Sequence, residues 1–129
     1  MQLGFIGFGE AAFELSNGLK QEGVQRICAY DVFWDDPLYG GLIRERAAKV
    51  QVRLFESPQE VANEATILIV AVPADKTYGA CQMLKPYLKK DTVYVDVSAG
   101  RLRADATDRF HNRRRLSRRL PLAALPEAD

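Results

Sequence analysis

A short apolar run that breaks into closely spaced glycines sets the plan of this chain. Leu3-Gly4-Phe5-Ile6 has the composition of a buried strand and stops at Gly7-Phe8-Gly9-Glu10-Ala11-Ala12. The spacing is G-x-G-x-x-A, a permitted variant of the fingerprint that joins a strand to a helix over a dinucleotide pyrophosphate. Each small residue has a mechanical task there. Gly7 turns the backbone sharply out of the strand, Gly9 keeps no side chain in the way of an approaching phosphate, and Ala12 lets the helix lie close to the strand. A helix starting near Glu10 then points unpaired N–H groups and the positive end of its dipole at the anion. Arg26-Ile27-Cys28-Ala29-Tyr30 reads as the second strand, and Asp31 follows, 22 residues beyond Gly9. An acid at that place accepts hydrogen bonds from ribose hydroxyls.

The rest of the first hundred residues repeats the alternation of strand and helix. The first helix spans about residues 10–22, with Ala11, Phe13, Leu15 and Leu19 available for its sheet-facing side and Gly23 closing it. Gly18 inside it suggests close packing against a neighbour. Asp36-Pro37 predicts a second helix reaching about Lys49, its start weakened by Gly40-Gly41. A third strand is expected over 50–55, followed by Ser57-Pro58-Gln59-Glu60, a capping box with proline at the first helical position. Thr66-Ile67-Leu68-Ile69-Val70-Ala71-Val72, rich in β-branched residues, predicts a central parallel strand covered on both faces. A helix follows from Pro73 to about Leu88, bent or ended by Pro86, and residues 92–97 form the fifth strand. The fold class is α/β, a Rossmann-type doubly wound parallel sheet that is truncated after about the fifth strand.

Composition separates this domain from the end of the chain. Overall, 47% hydrophobic and 27% charged residues describe a globular chain, not a disordered or fibrous one. Its 129 residues suffice for one domain, and no apolar run approaches the length needed to span a membrane. The first apolar stretch lacks a basic leader, so it is not read as a signal peptide. Cys28 and Cys81 show no metal spacing and are expected as reduced thiols of a cytoplasmic protein. Residues 1–100 hold ten basic and thirteen acidic side chains, whereas 101–129 hold eight and four. All eight basic residues of that tail are arginine. The expected division is a dinucleotide-binding domain over 1–100 and a basic, irregular tail over 101–129.

Gly4-Phe5-Ile6-Gly7-Phe8-Gly9-Glu10-Ala11-Ala12, Ala71-Val72-Pro73 and Asp96-Val97-Ser98 resemble the 6-phosphogluconate dehydrogenase / 3-hydroxyisobutyrate dehydrogenase superfamily. The Glu10-Ala11-Ala12 step resembles its phosphogluconate-dehydrogenase-like branch. The resemblance implies NAD(P)-dependent oxidation of a β-hydroxy acid. By position it implies pyrophosphate contacts from Gly7, Phe8, Gly9, Glu10, Ala11 and Ala12, and ribose contact from Asp31. Val72, Pro73 and Ala74 would line the nicotinamide side, and Ser98 would meet the substrate carboxylate. The family's catalytic lysine and helical C-terminal domain have no counterpart after Gly100, and the tail contains no lysine. The chain is therefore expected to be catalytically incomplete alone, its tail an out-of-frame or truncated reading of a longer gene. A small hydroxy-acid substrate would then require a C-terminal domain supplied from elsewhere.

NAD is slightly preferred over NADP as the expected cofactor, because Asp31 repels a 2′-phosphate. Arg26 or Arg53 near that acid would argue the other way. A stand-alone dinucleotide-binding or regulatory module needs the same site and no catalysis. Arg113-Arg114-Arg115 and Arg118-Arg119 lack a reading motif, and a solvated basic tail accounts for them, so no nucleic-acid partner and no membrane partner is expected. His111, the one histidine, builds neither a metal site nor a catalytic triad. Trp34 and Phe33, just after Asp31, either flank an adenine or simply pack.

Overall fold

The structure, a computed structural model, describes residues 1–97. Ser98 and the tail over 101–129, with the readings placed on them, lie outside the described residues. Five strands, β1 (Leu3–Ile6), β2 (Ile27–Tyr30), β3 (Arg53–Leu54), β4 (Ile67–Val70) and β5 (Val93–Asp96), form one sheet in the order β3-β2-β1-β4-β5. All pairings are parallel, and Ile6 stands in register with Tyr30 on one side and Val70 on the other. The order reverses at β1, so the crevice of this doubly wound sheet opens where β1 and β4 end.

Alternation along β1 separates two cores. Leu3 and Phe5 face α1 (Glu10–Gln21) and α2 (Gly40–Lys49), in a cluster with Ala12, Ile43, Ala47 and Ile69. Ile6 faces the other way, with Cys28, Leu68, Val70 and Tyr94, toward α3 (Pro58–Glu64) and α4 (Thr77–Leu84). Gly4 points to this second face. A Cβ there would stand 2.7 Å from Val61 Cγ1 and 2.9 Å from Ala65 Cβ, so the missing side chain is what lets α3 seat on β1. Ser57 caps α3 as its sequence predicts, accepting the Glu60 N–H and donating to Glu60 Oε2 at 3.2 Å.

Local bonds set the helix ends, at Gly23 and Pro86 as the sequence predicts, and shift other boundaries away from the periodic reading. The α1 helix ends in a Schellman motif, with Val24 N–H bonded to Leu19 O and Gly23 N–H to Lys20 O. The α2 helix ends in the same way, although Gln51 takes the glycine's place at φ 58°. Val52 N–H reaches Ala47 O and Gln51 N–H reaches Ala48 O. Val50 and Val52 are therefore buried as parts of a helix cap, and the third strand shrinks to Arg53–Leu54. Pro86 ends the fourth helix by forcing a single 3₁₀ turn over Lys85–Tyr87, and another 3₁₀ turn, Ala74–Lys76, precedes it. Regular helix in α2 begins at Gly40, behind a turn over 31–39 that Asp36 caps.

The buried face of α1 is also not the one its large residues suggest. Leu15 is 43% exposed, whereas Ala12 and Ser16 are buried and Phe13 and Leu19 pack at the edges of the cluster. A Cβ at Gly18 would meet nothing within 4 Å, so that glycine marks no close packing. Ser16 Oγ is buried with no hydrogen-bond partner among the described residues. Burying a lone hydroxyl costs about 1–3 kcal/mol, and alanine removes that cost while leaving the methylene-sized packing in place. Ser16→Ala is therefore expected to raise stability by about 1 kcal/mol in urea unfolding. A loss of stability would show that the hydroxyl has a bonded partner. Among the described residues no helix is long and apolar enough to cross a membrane.

Candidate functional site

The site forms where β1 hands over to α1. Gly7 sits at φ 96°, a conformation open to glycine, and its N–H donates to Tyr30 O at 2.7 Å. The turn lies against the end of β4: Ala71 N–H donates to Ile6 O, and Val72 Cγ1 would be 3.3 Å from a Cβ on Gly7. Gly7 and Val72 are thus brought together across the switch point. Pro73 is exposed and Ala74 half-buried just beyond.

Gly9 has another reason for being small. Its backbone is ordinary extended chain, φ −82° and ψ −162°, and a Cβ would meet nothing within 4 Å. Neither strain nor packing inside the chain requires glycine at this N-cap. The cap has no side-chain hydrogen bond, and the first helical bond runs from Phe13 N–H to Gly9 O. The N–H groups of Glu10, Ala11 and Ala12 precede that ladder, at the positive end of a helix of 12 residues. An exposed, uncapped N-terminus beside an empty Cβ position can receive an anion.

Phe8 faces inward. Its side chain is fully buried, edge-to-face with Phe5 at 6.3 Å, and its N–H donates to Asp31 Oδ2 at 2.7 Å. Asp31 Oδ1 accepts the Phe33 N–H at 2.9 Å. The acid at the end of β2 therefore clamps the glycine turn from across the sheet, a double role that spacing alone does not reveal. The signal for half of it is in the sequence, since Asp commonly bonds the N–H two residues on. A carboxylate offers about four lone-pair sites, so two remain for hydroxyls. The Tyr30 phenol beside it is raised above its ordinary range by burial first, then by Asp31 and Asp35. The local field is negative. Arg26 precedes β2 at its opposite end, and Arg53 pairs with Cys28 and stacks on Phe55. At about 3.3 Å per residue, both stand roughly 10 Å or more along the strand from Asp31.

Other reactive side chains offer less. Burial pushes the Cys28 thiol up, which keeps it protonated. The Tyr94 hydroxyl, also raised first by burial, lies in the same core near Cys81. Among the described residues no group of three His, Cys, Asp or Glu side chains could hold a metal ion. Asp96, buried and in register with Val70, stands at the C-terminal end of β5.

Residues 2–100 match the sequence pattern of a family described as NADP oxidoreductase, coenzyme F420-dependent. The chain belongs to this family. The chain therefore carries an NAD(P)-binding oxidoreductase domain. A pyrroline-5-carboxylate reductase from Pseudomonas aeruginosa is 30% identical over 100 residues, covering 77% of this chain and 35% of the reductase. A conserved hypothetical protein from Sinorhizobium meliloti, of known structure, is 31% identical with a TM-score of 0.70, over 76% of this chain and 32% of that one. The 3-hydroxyisobutyrate dehydrogenase of Mycobacterium tuberculosis, solved with L-serine, shares the fold at 19% identity and a TM-score of 0.62, over 92% of this chain and 38% of its own. The chain spans about a third of the length of these relatives. The family match establishes the dinucleotide domain without singling out the phosphogluconate-dehydrogenase-like branch.

Proposed function

We propose that the chain binds NAD(P) along the β1–α1 turn as the cofactor half of an oxidoreductase, with NAD favoured, and that it does not turn over substrate alone. Gly9 carries this reading. It is small without any reason inside the chain, at the uncapped end of a helix, where a pyrophosphate would use the vacant N–H groups. The N–H groups of Glu10, Ala11 and Ala12 would hold the phosphates, and the free lone pairs of Asp31 would take ribose hydroxyls. Val72, Pro73 and Ala74 would border the nicotinamide. When bound, the dinucleotide would supply or accept hydride. The chain's own part is to fix the pyrophosphate and the ribose so that the other end of the cofactor is aimed past β4.

NAD is favoured because Asp31 cannot swing aside without giving up two backbone N–H donors. The residues proposed here to hold the dinucleotide include no lysine, and a proton donor of the family type is not assigned among them. A hydroxy acid is the substrate class implied by the sequence resemblance. The name of the Pseudomonas relative instead carries a cyclic imine, and its higher identity favours that class for a completed enzyme. Ser98, where the resemblance puts the substrate carboxylate, would serve either. A stand-alone nucleotide-binding module shares the site. Adding candidate partner chains and measuring turnover separates the two.

Calorimetric titration with NAD⁺ and NADP⁺ tests the reading. NAD⁺ is expected to bind about tenfold tighter than NADP⁺, since one close like-charge pair at a partly screened site is worth roughly 1–2 kcal/mol. Asp31→Ala is expected to weaken NAD⁺ binding by about tenfold or more through the lost charged acceptor, and to narrow the gap to NADP⁺. No binding of either dinucleotide to the folded chain would end the enzyme reading and the module reading together.

A further inference from the structure

The first residue of α1 carries a charge of the wrong sign for the site it opens. Glu10 follows the Gly9 N-cap directly and is exposed. Its carboxylate makes no hydrogen bond or ion pair among the described residues. Cα–Cβ bonds tilt toward the N-terminus of a helix, so a side chain at this position reaches forward past the helix end. The carboxylate therefore stands beside the N–H groups of Glu10, Ala11 and Ala12 that would hold the phosphates. Gly9 leaves that approach open, with nothing within 4 Å of its Cβ position. One residue thus presents two opposed signs to an anion. Its N–H attracts a phosphate, and its carboxylate repels one.

Helix stability does not account for the acid by itself. A carboxylate in the first turn complements the dipole, yet the N-cap, where a side chain would do more, is left to Gly9. The repulsion is also uneven along the ligand. With the adenosine ribose at Asp31, the ligand runs over the glycine turn toward Val72 and Pro73. The phosphate farther from adenosine would then lie away from Asp31, at the first turn of α1. In a dinucleotide that phosphate is capped by a second ribose and carries a single charge. In ADP it ends free and carries nearly one charge more at pH 8.

We infer that the Glu10 carboxylate is a charge filter in the pyrophosphate site, admitting a pyrophosphate capped on both sides and disfavouring one that ends in a free phosphate. The inference rests on the dinucleotide reading and adds the residue that sets which phosphate ligands the site takes. Discrimination of this kind comes from a repulsive group placed against the wrong ligand. One pair of like charges roughly 6–7 Å apart at a partly screened site changes affinity about three- to tenfold.

The test compares ADP-ribose with ADP on the full 129-residue chain, in magnesium-free buffer at pH 8 and low salt. Both ligands carry adenine, ribose and two phosphates, and only ADP ends in a free phosphate. Calorimetry gives both dissociation constants for the unaltered chain, Glu10→Gln and Glu10→Lys, with urea unfolding of each alongside. The unaltered chain is expected to prefer ADP-ribose. That preference is expected to shrink about threefold or more in Glu10→Gln, with ADP-ribose bound as tightly or tighter, and to shrink further in Glu10→Lys. At about 0.5 M salt the unaltered chain and Glu10→Gln are expected to converge, because screening removes a charge effect and leaves a reshaped turn as it is. A preference that stays within about 1.5-fold in both variants overturns the inference, while ADP-ribose binding by the unaltered chain keeps the dinucleotide reading. Weaker ADP-ribose binding in Glu10→Gln also overturns it, and makes the carboxylate an acceptor for a ribose hydroxyl. Absence of ADP-ribose binding by the unaltered chain overturns both readings at once.

Discussion

Gly7→Ala is expected to destabilise the domain by about 3–5 kcal/mol, enough to leave many domains of this size largely unfolded at physiological temperature. Two terms add. At φ 96° an alanine is strained wherever it finds room, and here there is no room. Its Cβ would stand 2.5 Å from Ala71 O and 2.9 Å from Ala71 C, backbone atoms that no rotamer change can move. Relief requires β1 to shift from β4 at the point where Ala71 N–H bonds Ile6 O and Ile6 pairs with Val70. That contact joins the two halves of the doubly wound sheet, so the strain falls on the centre of the fold. Urea unfolding followed by circular dichroism measures it. A midpoint within a few tenths molar of the unaltered chain would mean that the turn is built differently. Binding of NAD⁺ is expected to be lost together with the fold.

The elements that sequence made legible are those whose signal is local. Gly7, Gly9 and Ala12 carry the turn, Ser57 and Glu60 carry a cap, and the run from Ile67 to Val70 carries a central strand, because each is specified within a few neighbouring residues. What escaped depends on which backbone groups and faces pair once the elements have formed. Val50 and Val52 look like strand residues, yet Ala47 and Ala48 carbonyls claim the backbone that follows for a helix cap. Ser16 looks like a solvent residue of α1, yet it follows Ala12 by one turn and is carried into the core with it. The 22-residue spacing from Gly9 singles out Asp31 as the acid expected at the ribose. The bond from Phe8 N–H to its carboxylate needs β1 and β2 side by side before it can be seen. Tyr39 is of the same kind. Nothing in its neighbours singles it out until the turn over 31–39 closes and sets its ring on Phe33.

The second glycine of the motif should behave in the opposite way. Gly9→Asp is expected to stabilise the chain while abolishing dinucleotide binding. Gly9 is the N-cap of α1 with extended dihedrals, open space where a side chain would go, and no capping bond. Aspartate is among the best residues for such a position: its carboxylate accepts a vacant N–H of the first turn and meets the positive end of the helix dipole. The gain is about 0.5–1 kcal/mol, seen as a later urea midpoint. The same carboxylate then occupies the donors that the pyrophosphate needs and sets a negative charge beside two others. Affinity for NAD⁺ is expected to fall about a hundredfold or more, since charge-assisted bonds worth roughly 1.5–3 kcal/mol are lost and repulsion is added. If stability rises and NAD⁺ still binds with unchanged affinity, the anion site is not at the start of α1. If stability falls instead, the space beside Gly9 is filled by part of the chain. An increase in stability with loss of binding would mean that Gly9 is retained for its ligand at the expense of the fold.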